Sequence, residues 1–111
     1  MPVMRLNWSD QSRDDLREIL SYVADEFGPR KAAEVLADIR TDAQKLADFP
    51  MLGRRFVEDT ELGIVYRSLS CQLNRIVYYI ENDMVNIVTV WQNRRDVTRL
   101  VKELTQGNKK I

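Results

Sequence analysis

Arginine supplies most of the chemistry this chain can do. Arg54 and Arg55 are adjacent, Arg67 and Arg75 lie inside apolar, β-branched runs, Arg94 and Arg95 are adjacent again, and Tyr78 follows Arg75 in the same run. A guanidinium stays charged at any physiological pH and offers a planar fork of donors that fits phosphate or carboxylate in a bidentate way. In an apolar strand it must find water or an anion, because burying it unpaired is costly. Arg75 therefore points either to a salt bridge or to a site that meets phosphate or an acidic partner. The sequence has 0 histidines, which removes Ser-His-Asp and Cys-His catalysis, His-containing zinc sites and the usual near-neutral proton shuttle. Cys71 is the 1 cysteine; it is expected in a turn, with no histidine to activate it. If these residues acted on an RNA phosphate, the arginines would clamp the transition state. Only Tyr78 or an acid could take the proton, since arginine keeps a pKa above about 12.

Such residues need a scaffold, and composition bounds it. A chain of 111 residues with 44% hydrophobic and 31% charged residues is of globular composition and sized for one domain, taken here as residues 1–111. No apolar run nears the roughly 20 residues of a membrane span. The start, Met1-Pro2-Val3-Met4-Arg5, lacks a signal-peptide core. A cytoplasmic location with no membrane contact is expected. The 17 basic and 17 acidic residues cancel, but the signs are separated. Ser9 to Phe49 holds 10 acidic and 6 basic residues, net −4, and Gln92 to Ile111 holds 6 basic and 2 acidic, net +4. Attraction to nucleic acid by the whole molecule is thereby disfavoured, while the basic C-terminal segment can meet an acidic partner or a phosphate backbone. The acidic segment suggests basic residues on whatever crosses it.

Met4, Leu6 and Trp8 alternate with Val3, Arg5 and Asn7, the period of a strand with one apolar face. Ser9 or Asp10 then caps a helix whose stripe is Leu16, Ile19, Leu20, Val23 and Phe27, stopped by Gly28-Pro29. A second helix carries Ala32, Leu36, Ile39, Ala43 and Leu46 until Phe49-Pro50, closing a helical hairpin. Both stripes are expected in the core. Met51 to Gly63 reads as irregular, with Gly53 and Gly63 as hinges. Strands are expected at Ile64–Leu69, Leu73–Ile80 and Met84–Trp91, joined by turns at Ser70-Cys71-Gln72 and Glu81-Asn82-Asp83. A last helix spans Asp96–Leu104, with Val97, Leu100, Val101 and Leu104 on one side and Thr105-Gln106-Gly107 ending it. The order β-α-α-β-β-β-α predicts an α+β domain: an N-terminal helical hairpin packed on a mostly antiparallel four-stranded sheet, with a short C-terminal helix. Arg75 shares parity with Leu73, Val77 and Tyr79, and Arg67 with Val65 and Leu69. If both faces coincide with the uncovered side, the two arginines share one floor.

The chain resembles the RelE/ParE toxin superfamily of type II toxin-antitoxin systems. The resemblance rests on Asp14-Asp15-Leu16-Arg17-Glu18-Ile19 with Tyr22, Phe27-Gly28 and Ala32-Ala33; on Leu46-Ala47-Asp48-Phe49-Pro50 with Gly53-Arg54; on Arg75-Ile76-Val77-Tyr78; and on Val90-Trp91-Gln92-Asn93-Arg94-Arg95-Asp96 with Thr98-Arg99-Leu100. It departs at Gln92, where many relatives carry histidine, so no role of that histidine transfers. Two activities are implied. RelE-like members are ribosome-dependent mRNA endoribonucleases, for which Arg54, Arg55, Arg67, Arg75, Tyr78, Arg94 and Arg95 would form the catalytic set. ParE-like plasmid stabilisation toxins are not enzymes; they inhibit DNA gyrase, for which Arg94, Arg95 and Arg99 would contact the target. A pI near 6.3 and the lack of lysine between Lys45 and Lys102 favour the ParE-like reading, because a ribosome-directed nuclease must face dense phosphate. The partners implied are a cognate antitoxin in a hetero-oligomer and gyrase, or else the ribosome and mRNA. No cofactor or metal is called for. A toxin relic that only binds its antitoxin is the third reading.

Overall fold

Ser9 accounts for the change from strand to helix near the N-terminus. Its Oγ accepts the Ser12 amide at 3.0 Å and donates to the Val88 carbonyl at 2.9 Å, so one hydroxyl caps a helix and ties it to a distant strand. Such a cap contributes about 1 kcal/mol. In the computed structural model of the chain, which describes residues 4–106, the elements are β1 (Arg5–Trp8), α1 (Asp10–Phe27), α2 (Pro29–Asp48), β2 (Arg54–Asp59), β3 (Ile64–Cys71), β4 (Asn74–Glu81), β5 (Met84–Gln92) and α3 (Val97–Gln106). Gly28, at φ 91°, turns α1 into α2, with Pro29 opening the second helix. The positions of Val3, Gly107, Lys109 and Lys110 lie outside the described residues.

The sheet has 5 strands in the order β1-β5-β4-β3-β2, one more than the four expected. All pairs are antiparallel except β1 with β5, which is parallel and sets Leu6 beside Val85 and Trp8 beside Ile87. The added strand is β2, inside the segment read as irregular. A register shift between Arg55 and Val57 leaves Phe56 and Val57, consecutive residues, both packed against the same cluster. That bulge erases the period-2 signal a strand normally shows. Asn82 and Asp83, at φ 56° and 59°, form the tight β4–β5 turn where short polar side chains tolerate the left-handed region.

The helical hairpin covers one face of the sheet. Ile19, Val35, Ile39, Ala43 and Leu46 meet Cys71, Ile76, Tyr78, Val85, Ile87 and Val90 there, with Leu6, Trp8, Leu16, Leu20 and Val23 at the margin. The other face is closed in part by α3, whose Leu100 and Leu104 pack on Tyr66, Val77 and Trp91. Two stripe expectations and one strand boundary fail. Phe27, the last residue of α1, and Val97, the first of α3, are exposed, and Leu73, expected to open a strand, is a turn residue, 81% exposed. Cys71 is not in a turn but closes β3 and is buried. Burial is the main reason its thiol is pushed up to about 12, aided by a hydrogen bond and the charge of Asp42.

Candidate functional site

Tyr78 is fully buried on the hairpin side of β4. Its hydroxyl donates to the Pro50 carbonyl at 2.6 Å and accepts the Gly53 amide at 2.9 Å. Arg67 completes the knot by donating from Nη1 to the Gly53 carbonyl at 2.8 Å. A Cβ on Gly53 would stand 2.6 Å from the Tyr78 oxygen, so only glycine fits. Desolvation raises the Tyr78 pKa, partly offset by the Gly53 hydrogen bond and the Arg67 charge. A phenol so enclosed cannot take a proton from a substrate. Its work is to fasten the loop between α2 and β2.

The arginines do not converge on one floor. Arg67 pairs with Tyr78 across the β3–β4 ladder and faces the hairpin side; Arg75 pairs with Ser70 and Trp91 and faces the α3 side. Directly opposed residues in antiparallel strands point the same way, so the two guanidiniums are on opposite faces of the sheet. Arg54 and Arg55 split likewise: Arg54 lies opposite Ser68 and Arg55 opposite Arg67. Arg55 is also paired with Glu58 at 3.3 Å. The proposed nuclease set is thus divided, with Arg55, Arg67 and Tyr78 on one side and Arg54, Arg75 and Arg95 on the other.

Three guanidiniums near the end of β5 lie over aromatic rings. Arg75 sits over Phe56 at 5.2 Å, Arg94 over Tyr22 at 4.1 Å and Arg95 over Trp91 at 4.3 Å. Asn93 is the hub between them. Its amide donates to the Leu73 carbonyl at 2.9 Å and its Oδ1 accepts Arg75 Nε at 3.0 Å. Arg94 Nε donates to Gln92 Oε1 at 2.8 Å.

Two concavities flank α1. One is an apolar groove of about 410 Å³ lined by Ile19, Tyr22, Val23, Phe27, Val35 and Leu73, with Lys31 and Arg94 on its rim. The other is a polar cleft of about 520 Å³ between α1 and α3, where Arg95 and Arg99 meet Asp15, Glu18 and Glu103 over Trp91. Arg99 is paired with Glu103 at 3.3 Å. Asp15 is buried and accepts from Gln11 Nε2 at 2.8 Å and from the Thr89 hydroxyl. Trp91 Nε1, also buried, has no hydrogen-bond partner among the described residues. The adjacent Arg94 and Arg95 therefore serve different concavities.

Neither the groove nor the Asp15–Thr89 pair was read from the sequence. A signal existed for each. Tyr22 and Phe27 crowd the end of an apolar stripe that outlasts the sheet. Ser12, Asp15 and Ile19, the buried residues of α1, share one helical stripe with two polar members.

A family model described as the ParE toxin of the type II toxin-antitoxin system, parDE, matches residues 6–97. Among solved structures, a chain from the chromosomal ParDE TA system from P. aeruginosa has the same fold. Its TM-score is 0.69 over 83% of this chain and 98% of that chain, at 20% sequence identity. No curated protein matches.

Proposed function

Since the chain belongs to the ParE toxin family of type II toxin-antitoxin systems, we propose that it arrests growth by binding DNA gyrase and trapping the cleaved-DNA complex, and that a cognate antitoxin neutralises it. The observation that favours this over the ribonuclease reading is the enclosure of Tyr78. The one non-acidic candidate for a general base is spent on Pro50 and Gly53, and the arginines that would clamp a phosphate are split between two faces. Clamps without a base make a poor nuclease. Under this reading the protein is not an enzyme, and Arg94, Arg95 and Arg99 at the end of the sheet and the start of α3 contact the target.

The apolar groove beside α1 suits an amphipathic antitoxin segment, which orders as its apolar anchors enter. Lys31 and Arg94 on the rim call for acidic residues at the ends of that segment, while basic residues suit the acidic outer faces of the hairpin. Arg94 would then serve antitoxin and target alike, so that one excludes the other. A toxin-antitoxin hetero-oligomer and a cytoplasmic site of action follow from this reading.

The test is a gyrase assay. Purified protein is expected to inhibit supercoiling and accumulate cleaved DNA while ribosome-bound message stays intact, with loss on substitution of Arg94, Arg95 or Arg99. Cleavage of message in the ribosomal A site, abolished by Arg75→Ala with the fold retained, would reverse the ranking in favour of a RelE-like enzyme.

A further inference from the structure

The polar cleft beside α1 has walls of opposite charge that do not meet. Gln11, Asp15 and Glu18 follow one another at helical spacing along α1 and form one wall, and Arg95 and Arg99, before and within the start of α3, stand on the other. Glu103 is spent on Arg99 at 3.3 Å. No ion pair among the described residues crosses from one wall to the other, and Asp15, Glu18 and Arg95 take part in none at all.

Two of the lining residues lack what their chemistry calls for. Asp15 is only 8% exposed, and its carboxylate is held by Gln11 and Thr89, neutral donors that leave its charge without a cation. Trp91 is 4% exposed, and it is the one lining side chain with a buried polar atom, Nε1, that has no partner among the described residues. A buried carboxylate without a cation and a buried donor without an acceptor mark places where a ligand can supply the missing partner. Arg95 lies over the Trp91 ring at 4.3 Å. Stacking uses the flat face of its guanidinium and leaves the N–H edges placed before a ligand arrives, which removes part of the entropic cost of binding.

We infer that this cleft binds a small zwitterion, with an ammonium or guanidinium end against Asp15 and Glu18 and a carboxylate end on Arg95 beside the Trp91 indole. Its volume of about 520 Å³ falls within the roughly 300–1,000 Å³ usual for small-molecule sites. A dipeptide or an ω-amino acid has that size. The two walls also exclude ligands of one sign: Asp15 and Glu18 repel a phosphate chain, and Arg95 repels a polyamine. The inference concerns this chain alone, so it stands or falls separately from gyrase as the target.

Calorimetry and thermal melts of the full chain with ε-aminocaproate test this. The probe is an unbranched molecule with an ammonium at one end and a carboxylate at the other. The expected Kd is about 0.1–1 mM, and ligand at about five times that value should raise Tm by about 4–8 °C. Hexylamine and hexanoate, which keep the carbon chain and a single charge, should each bind at least about tenfold more weakly. Glu18→Gln and Arg95→Gln, each checked for an unchanged fold by circular dichroism, should weaken ε-aminocaproate by about tenfold. Only Arg95→Gln should also weaken hexanoate. Arg17→Gln, at an exposed position of α1, should change nothing. No heat and no Tm shift up to about 20 mM ε-aminocaproate overturns the inference. So does equally tight binding of hexylamine or hexanoate, or an unchanged affinity when Glu18→Gln and Arg95→Gln are combined.

Discussion

Replacing Tyr78 by phenylalanine removes one oxygen and leaves the ring in place. The Gly53 amide loses its acceptor at 2.9 Å and the Pro50 carbonyl its donor at 2.6 Å. An unsatisfied buried backbone group costs about 1–3 kcal/mol. Gly53 is buried, whereas Pro50 is partly exposed and can regain water, so the sum should be about 2–3 kcal/mol. For a domain of this size that lowers Tm by about 8–15 °C, readable by circular dichroism. Growth arrest and gyrase inhibition, measured well below the new midpoint, should persist, because the hydroxyl faces inward. A pH arm adds a second readout. The folded chain holds the neutral phenol above its ordinary value of 10.0, so the unfolded chain gives up its proton first. The stability tied to Tyr78 is intact below pH 10 and declines as pH rises through the folded-state pKa; the phenylalanine variant should lack that decline. An unchanged Tm, or lost activity in a variant that is still folded, would refute the structural assignment and return Tyr78 to the list of acting residues.

Gly53→Ala should be at least as damaging, since its Cβ meets the Tyr78 oxygen at 2.6 Å; a midpoint within a few degrees of wild type would show that the knot yields. Leu73→Asp, at a position 81% exposed, should leave Tm nearly unchanged yet weaken antitoxin binding by about 30-fold or more in calorimetry, the scale of a lost apolar anchor. Unaltered affinity would place the antitoxin elsewhere. Cys71, with its thiol pushed up to about 12, should resist alkylation in the native state at pH 8 and react promptly in urea. The same shift means that the stability it contributes falls from about pH 9 toward its folded value, by up to about 1.4 kcal/mol per pH unit. Cys71→Ala should abolish that dependence.

The α+β class and both helices of the hairpin were legible from apolar residues at helical spacing, β1 from its period-2 alternation, and β3, β4 and β5 from runs of Val, Ile and Tyr bounded by turn residues. β2 was not, since its bulge places Phe56 and Val57 in sequence on one cluster. The site was legible as residue types and hardly as geometry. Arg67 and Arg75 stood out as arginines inside apolar strands, but which face each occupies depends on the register of β3 against β4, where a shift of one residue exchanges the faces. Tyr78 was marked for its place in an arginine strand. Only its distance to Pro50 and Gly53, far back in the chain, shows that it fastens a loop. Pairings such as Asp15 with Thr89 depend on contacts that no local pattern encodes.

The strand order has a further meaning when the chain is followed as it is made. β5 is the last strand synthesised, yet it lies between β1 and β4. The first strand therefore has no neighbour to pair with until nearly the whole chain has left the ribosome. Ser9 likewise has neither the Val88 nor the Ile87 carbonyl to bond before that point. Contacts between residues so far apart in sequence form slowly and late. The groove beside α1 and the basic end of the sheet both border the closing segment around Asn93. Both concavities beside α1 are lined by residues of β5 or the segment just after it, so neither exists until β5 has been inserted between its two neighbours.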